Sequence, residues 1–328
     1  MAKAELITQE TSTTAIGGWY TWVTNEIKSD YGKINLAPDE YSLQCGQDAI
    51  TALVDAVESS KDIDNALLSD PAFRENLRTI VRNCAALKLS PAHNEVYFTP
   101  RNVQIGGKWT KRFEMGVQSD GFETLVRSFG DNVKEIGVAW EVKETDDFTF
   151  PVYNGSEVTP PVWQKKMGGK KCMIVVYPVT MKNRTVVYSI VERDDVMSSL
   201  FAHVKSNLLN TTFGLAESKY KASKEVQEQI EEKKREILDG LKKCQTIDEM
   251  VDYEPARKYM SPAWIDSTES MIVRKMKNKA LKRFKLNFNT MQNTAFNETD
   301  EVYKAAHMEI EQNENQADFF IEGEVKEL

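Results

Sequence analysis

The segment EVYFTPRNVQIGGKWTKRFEMGV, residues 95–117, marks the point where the hydrophobic pattern of this chain changes. Before it, apolar residues recur three or four positions apart, as they do along one face of a helix. Within it, two strand-like runs flank the pair Gly106-Gly107. Such runs around a Gly-Gly pair predict a β-hairpin, because glycine tolerates the positive φ angles of tight turns. The segment therefore predicts a sheet in the middle of the chain.

Helical patterns predominate before the hairpin. One runs through Trp19, Trp22 and Ile27, and another covers Ser42–Ser59. A third follows Asp70-Pro71, a pair suited to the N-cap and the first helical position. Its buried stripe is predicted at Phe73, Leu77, Ile80, Val81 and Cys84.

Strand patterns alternate with short loops after the hairpin. A short helix is predicted over Asp120–Phe129, and helical periodicity returns near Asp195 with a long charged helix over Ser218–Lys243. The strands between them are predicted at Glu135–Val142, Phe148–Tyr153, Cys172–Val179 and Arg184–Val191.

The element order predicts an α+β fold. A central, mainly antiparallel sheet with its hairpin is flanked by N-terminal helices and by a C-terminal helical region that contains a basic helix. We expect residues 1–14 to be disordered and residues 15–297 to form one core, with 207–262 as a helical insertion. Residues 298–328 form an acidic tail.

Charge is distributed unevenly along the chain. The tail carries ten carboxylates against two lysines, which accounts for the whole formal charge of −8, so the preceding residues are neutral overall. No apolar run has the length of a membrane span, and the N-terminus lacks the apolar core of a signal peptide. We therefore expect a cytoplasmic protein. The four cysteines and three histidines are scattered, which argues against a metal site.

The strongest functional signal is a basic helix near the C-terminus. Residues 270–297 carry seven cations and no carboxylate, and an apolar residue recurs every fourth position from Ile272 to Phe288. Such a helix can seat one face on a core and offer the other to a polyanion such as a phosphodiester backbone. A solvated basic face is the alternative. The candidate DNA-binding residues here are Arg274, Lys275, Lys279, Lys282 and Arg283.

Two further basic segments precede this helix. Residues 158–191 contain no acid, and two lysine pairs flank a Gly-Gly pair whose backbone N–H groups could face an anion. Cations beside aromatic rings suit single strands, whose phosphates need charge and whose bases need a flat apolar surface. Alternatively, Trp109, Phe113, Trp140 and Trp163 are core residues. The candidates are Arg101, Lys108, Lys111, Arg112, Lys165, Lys166, Lys170 and Lys171 for DNA binding, with Trp109 and Phe113 for base stacking.

Signatures of common enzymes are missing. Neither GxxxxGK[ST] nor GxGxxG occurs, and there is no GxSxG or HExxH motif. We therefore predict a protein without a catalytic site and without a cofactor; Mg²⁺ is expected at most as a modulator. The acidic group Glu192, Asp194 and Asp195 offers an alternative, a metal-dependent nuclease, although a helix N-terminus explains these residues as well.

The order of short motifs resembles that of the RecT/Redβ family of phage single-strand annealing recombinases. The run NCAALKLSPAHNEVYFTP, residues 83–100, resembles the family's opening helix and strand. Gly116-Val117-Gln118-Ser119-Asp120-Gly121-Phe122 is similar to its Gly-x-x-Gly-aromatic helix start, with two additional residues. Residues 133–138 match the strand that follows it, and Lys279–Arg283 is similar to the basic helix that lines the family's DNA groove.

The resemblance implies ATP-independent annealing of complementary single strands during phage homologous recombination in a bacterial host. It also implies a homo-oligomer, as a ring or helical filament. The implied partners are single-stranded DNA and the annealed duplex intermediate, and also a phage exonuclease and the host single-strand-binding protein. From the lack of a long apolar run we expect no membrane partner.

The sequence leads to one mechanistic hypothesis and three alternatives. We expect the hairpin, the 165–171 loop and the 274–285 helix to line one positive groove that holds a strand with its base edges open. The alternatives are a single-strand DNA- or RNA-binding protein that does not anneal, the nuclease, and a scaffold whose basic faces contact an acidic partner.

Overall fold

The computed structural model describes residues 39–299, apart from 61–62, 64, 106–107, 156 and 219–220, together with Asn25 and Ser29. The predicted helix through Trp19, the 1–14 segment, the Gly-Gly turn and nearly all of the acidic tail lie outside these residues. The helices in chain order are α1 (Glu40–Ser59), α2 (Asn65–Ser69), α3 (Pro71–Leu87), α4 (Ser119–Phe129), α5 (Met197–Leu208), α6 (Lys224–Lys243), α7 (Ile247–Asp252), α8 (Glu254–Arg257), α9 (Pro262–Ile265), α10 (Thr268–Leu281) and α11 (Thr290–Thr299).

All strand pairs are antiparallel, and with the helices they form the α+β fold that the sequence predicts. The strands are β1 (Val96–Ile105), β2 (Lys108–Val117), β3 (Val133–Ile136), β4 (Trp140–Lys143), β5 (Asp147–Thr149), β6 (Val152–Asn154), β7 (Glu157–Thr159), β8 (Val162–Gln164), β9 (Cys172–Met181) and β10 (Val186–Glu192).

The chain divides into two compact units, whereas the sequence predicts one core over 15–297. The first unit is built from the described residues up to Phe129 and from Asn287 onward, and the second is Gly130–Leu286. The 207–262 segment, predicted as an insertion, belongs to the second unit.

In the first unit, α3 packs against α1, α11 and the β1–β2 hairpin. The predicted cap is confirmed: the Asp70 side chain accepts a hydrogen bond from the Ala72 amide at 2.9 Å, and Pro71 occupies the first helical position. The predicted stripe on α3 is buried, with Phe73, Leu77 and Val81 each at most 1% exposed. The hairpin is confirmed too, with Val96 opposite Val117 and Ile105 opposite Lys108.

In the second unit, β9 is the central strand, with β10 on one edge and β3 and β4 following each other along the other. The strand predicted over 135–142 is divided because Ile136 pairs with Val179 but Trp140 with Val176. Between these two pairs the chain advances four positions, from Ile136 to Trp140, whereas β9 advances only three, from Val179 to Val176. The extra residue displaces the intervening residues from the ladder.

Residues 147–164 form a β-arm that extends from β4 and β9. The β5–β8 and β6–β7 pairs keep one register, with Phe148 opposite Trp163 and Tyr153 opposite Val158. Between these pairs lie Pro151 and Pro160-Pro161. Proline has no N–H to donate, so the ladder is interrupted there, and the predicted strand over 148–153 becomes two short strands.

Candidate nucleic-acid interface

The basic helix α10 packs one side on the sheet of the second unit. Ile272, Met276 and Ala280 are fully buried, as their spacing predicts. The Ser189 hydroxyl of β10 donates to the Ala280 carbonyl oxygen at 2.7 Å and fixes the helix on that face of the sheet. The seven cations of residues 274–285 fall into two groups. The four on the helix are half-buried, and the three that follow it are exposed: Arg274, Lys275, Lys277 and Lys279, then Lys282, Arg283 and Lys285.

Two cations of α10 pair with acids that are distant in sequence. Lys277 lies 2.7 Å from the Glu141 carboxylate on β4, which Lys143 also approaches at 3.7 Å. Burial alone raises the pKa of Glu141, but the hydrogen bond and charge of Lys277 outweigh it, and that pKa lies below its usual value. Lys279 donates to the main-chain carbonyl of Asp195. Both lysines thus help to attach the helix to its unit.

The helix ends earlier than the sequence predicts, at Leu281 rather than near Lys285. The backbone turns away because the Lys285 carbonyl accepts a hydrogen bond from the Asp131 amide at 2.7 Å and Leu286 pairs with Gly130 as an antiparallel bridge. Arg283 and Lys285 therefore lie on an anchored, non-helical segment. We call Lys282–Lys285 the basic exit segment.

The loop with two lysine pairs differs from its prediction in one respect. Three of its backbone N–H groups, those of Lys166, Lys170 and Lys171, already donate to two carboxylates from the β4–β5 connection. Glu144 accepts from Lys170 and Lys171 at 2.9 and 2.6 Å, and Asp146 accepts from Lys166 at 2.8 Å. The Lys170 amide lowers the pKa of Glu144. The exposed lysine side chains of this loop stay candidates for phosphate binding, and two of them lie beside carboxylates: Lys166 is 2.6 Å from Asp147, and Lys171 is 3.3 Å from Asp248.

A buried arginine joins this loop to α10. Arg193, 3% exposed, donates twice to Asp248 at 3.0 Å and once to Glu269 of α10 at 2.8 Å. Glu269 also accepts from the Cys172 amide at 2.6 Å, directly after the loop, and Lys171 lies 3.3 Å from Asp248. The end of the loop and the start of the basic helix are thus held by one network inside the second unit.

The hairpin cations belong to the first unit. Arg101 and Arg112 are directly opposite each other on β1 and β2, and both are exposed. Arg101 lies 3.4 Å from Glu114, and Lys111 is half-buried. The side chains of Lys108 and Trp109 lie outside the described part of the structure.

The stacking role predicted for Phe113 is wrong. The Phe113 side chain is 3% exposed and packs on Phe73, with ring centroids 6.2 Å apart. Its backbone amide is occupied as well, because it donates to the Asn76 side chain at 2.8 Å. Phe113 is therefore part of the core of the first unit.

Two carboxylates of the acidic group considered as a nuclease site accept backbone hydrogen bonds. The Asp195 carboxylate accepts from the Glu192 amide at 3.0 Å, and Asp194 accepts from the Ile247 amide at 2.8 Å. Both contacts are typical of carboxylates at the start of a helical turn. Within the described residues, no group of three or more His, Cys, Asp or Glu side chains is placed to hold a metal ion.

Comparisons of the chain with protein-family models, curated proteins and solved structures gave no match. In the part of the chain that the structure describes, no helix is both long and apolar enough to cross a membrane.

From the sequence, Trp140 and Trp163 are named as possible core residues but are not selected for base stacking, and Tyr188 is not considered. Trp140, Trp163 and Tyr188 lie together in the second unit, with ring centroids 5.8 Å apart for the first pair and 6.2 Å for Trp140 and Tyr188. The sequence does contain one signal, because Lys165-Lys166 follows Trp163 almost immediately.

Proposed function

We propose that this protein binds single-stranded DNA and anneals complementary strands without ATP. The observation that carries the proposal is the arrangement within the second unit, where the Arg193 network holds a lysine-rich loop beside a cation-rich helix. Exposed cations at fixed positions on a backbone can bind successive phosphates without reading sequence.

The chemistry of annealing fits these groups. A strand held by its phosphates leaves its base edges open, so a complementary strand can pair with them directly. The exposed side chains of Arg283 and Lys285 and of the loop lysines supply the charge. No nucleotide hydrolysis is needed, since base pairing itself supplies the free energy.

The wider setting follows from the family resemblance and forms part of the proposal. The protein would act as a ring or filament of identical subunits in the bacterial cytoplasm. It would receive single strands from a phage exonuclease and compete or cooperate with the host single-strand-binding protein. The groove between hairpin, loop and helix stays a prediction.

A non-annealing single-strand-binding protein, for DNA or RNA, is the second candidate, because the same exposed cations would serve it. Sequential addition of two complementary labelled oligonucleotides without ATP separates the two functions. Accelerated pairing supports annealing, whereas protection of each strand without accelerated pairing supports simple binding. Failure to bind either strand would reject both.

A double variant in the basic exit segment tests whether its cations bind phosphates. We expect Arg283→Ala combined with Lys285→Ala to weaken oligonucleotide binding and to make its salt dependence shallower. The slope of log K against log salt should change by about 0.7 for each phosphate that the variant no longer neutralises. The measurement is fluorescence anisotropy over a salt series.

The matched control removes the same charge elsewhere. Arg235 and Lys243 are exposed on α6, so Arg235→Ala combined with Lys243→Ala should leave affinity and slope close to those of the wild type. An equal loss in both double variants would mean that only overall charge matters and that the exit segment has no specific role.

A further inference from the structure

The sheet of the second unit has two chemically different faces. Ser189 and Glu141 contact α10, through Ala280 and Lys277 respectively, so their side chains lie on the helix side. Successive residues of a strand point to opposite faces. Trp140 and Tyr188, adjacent to these residues on β4 and β10, therefore lie on the opposite face.

Five aromatic rings form a row that begins on this face and continues onto the β-arm. Trp140 contacts Tyr188 at 6.2 Å and stacks on Trp163 at 5.8 Å with an interplanar angle of 27°. Phe148 lies directly opposite Trp163 in the β5–β8 ladder and contacts Phe150 at 5.0 Å. We call Tyr188, Trp140, Trp163, Phe148 and Phe150 the aromatic row.

The row is accessible, unlike the core aromatics of the same unit. Phe150 is 47% exposed, and the other four members are half-buried. Tyr177, on the helix side of β9, is only 1% exposed. Val176 is completely buried although it points to the open face, which is consistent with Trp140 and Tyr188 leaning over it from the two neighbouring strands.

Hydrogen bonds hold the centre of the row in place. The indole N–H of Trp163 donates to Asp146 at 2.9 Å. The same carboxylate accepts from the amides of Lys143 and Lys166, at 2.9 and 2.8 Å. The Lys143 amide lowers the pKa of Asp146, so the carboxylate remains an acceptor over the whole neutral range. The Trp163 ring therefore keeps one orientation.

We infer that the aromatic row is a stacking platform for the unstacked bases of a single strand, an inference that rests on the proposed function. From Phe148 to Gln164 the only charged residue is Glu157, so the arm favours an apolar ligand surface. The exposed side chain of Lys165 follows Trp163 by two residues and supplies charge for a phosphate, whereas Lys166 pairs with Asp147 at 2.6 Å. Bases with adjacent phosphates match this combination of flat apolar rings and cations.

The test compares an oligo-dT strand with an abasic strand of equal length, which keeps the phosphates and removes the bases. We expect the wild type to prefer oligo-dT by about tenfold or more, because stacking contributes about 1–3 kcal/mol per base and 1.4 kcal/mol is tenfold. Phe150→Ala and Trp163→Ala should each reduce the ratio of the oligo-dT affinity to the abasic affinity several-fold. Trp163→Phe should retain most of the preference.

Tyr153→Ala is the matched control. Tyr153 is 68% exposed on the same arm, but the alternation of the ladder places it on the side opposite to Phe148. The Tyr153→Ala protein should bind oligo-dT and the abasic strand with the same affinities as the wild type. Equal wild-type affinity for the two strands would overturn the platform and leave phosphate binding intact, whereas no binding of either strand would overturn the proposed function itself. An equal effect of Tyr153→Ala and Phe150→Ala would also reject the platform.

Discussion

At the scale of single residues, the Gly-x-x-Gly-like motif has a structural explanation in this chain. A Cβ atom on Gly121 would lie 2.2 Å from the carbonyl oxygen of Glu95, which accepts the Gln118 amide at 2.8 Å. A Cβ on Gly116 would lie 2.3 Å from the Tyr97 ring. Gly121 thus allows the start of α4 to approach the backbone before β1, whereas Gly116 on β2 leaves room for the ring of Tyr97, its partner on β1. Backbone at this distance cannot move aside as a flexible side chain does.

Gly121→Ala should therefore lower the free energy of unfolding by about 1–3 kcal/mol, the usual range for overpacking. Gly46→Ala is the control within the same unit. Gly46 lies inside α1, and a Cβ there would lie 3.5 Å from the Cβ of Ala85 on α3, an ordinary van der Waals distance. The Gly46→Ala change should be neutral or stabilising, since alanine favours helices by up to about 1 kcal/mol. Urea unfolding measures both; a Gly121→Ala protein as stable as the wild type would contradict the argument.

At the scale of elements, α10 depends on a charged network rather than on its apolar stripe alone. Arg193 is nearly inaccessible to solvent. Its positive charge is compensated by the hydrogen bonds that its guanidinium donates to the carboxylates of Asp248 and Glu269. Removing one partner leaves a buried charge without full compensation, which costs more than losing an exposed ion pair.

Because of this network, the free energy of unfolding should decrease as the pH falls into the acid range. The hydrogen bond from Arg193 lowers the pKa of Asp248 in the folded state. The carboxylate therefore contributes stability above the unfolded Asp pKa of about 3.9, and this contribution is lost as the pH falls through the lower folded-state value. Asp248→Asn should cost about 1.5–3 kcal/mol at pH 7 and progressively less below pH 4.

Asp252→Asn serves as the comparison, since Asp252 is also on α7 but is 81% exposed and lies 3.9 Å from Arg257. Its cost at pH 7 should be within about 1 kcal/mol. Urea unfolding at pH 7 and pH 3 gives both values. A constant penalty for Asp248→Asn at the two pH values would show that its charge is not the cause.

The elements differ in how far the sequence determines them. The start of α3 and the β1–β2 hairpin follow from local chemistry, the Asp70-Pro71 cap and alternation around Gly-Gly, and both were predicted. The end of α10 at Leu281 depends on a bridge to Gly130, which no local pattern reveals. The aromatic row was missed for a similar reason, because alternation places Trp140 and Glu141 on opposite faces without saying which face receives the helix.

At the scale of the whole molecule, the second unit is inserted into the first through two neighbouring connections. The Asn287 amide donates to the Phe129 carbonyl oxygen at 2.7 Å, and their neighbours in the second unit, Gly130 and Leu286, form a bridge of their own. The prediction of one core missed this division because strand and helix patterns continue across both crossing points without a linker composition.

The acidic tail should be separable from annealing. Glu298 belongs to α11 and accepts from Asn83 of α3 at 2.6 Å, so the boundary for truncation lies after Thr299 rather than before Glu298. The family resemblance implies partner binding through the C-terminal region, and we propose that role for the acidic tail. Deleting residues 300–328 should therefore leave annealing in vitro unchanged while reducing recombination in cells. The assays are strand pairing with purified protein and recombinant counts.

A second truncation at residue 289 gives the contrast. It removes α11, which packs on α3 and β2, and whose Ala295 is 1% exposed. This protein should unfold at lower temperature in a thermal melt. Loss of annealing after deletion of 300–328 alone, with the melting temperature unchanged, would assign the tail a direct role in strand pairing.

The insertion of the second unit into the first has a consequence for folding during synthesis. A ribosome releases residues 130–286 as one continuous stretch, so this inner unit can fold while translation continues. The first unit must wait, because α11 is translated after residues 130–286 and closes against α3. During that interval the α3 surface that α11 will cover is bare, and this is the period in which a nascent chain of this protein is most exposed to aggregation and to chaperones.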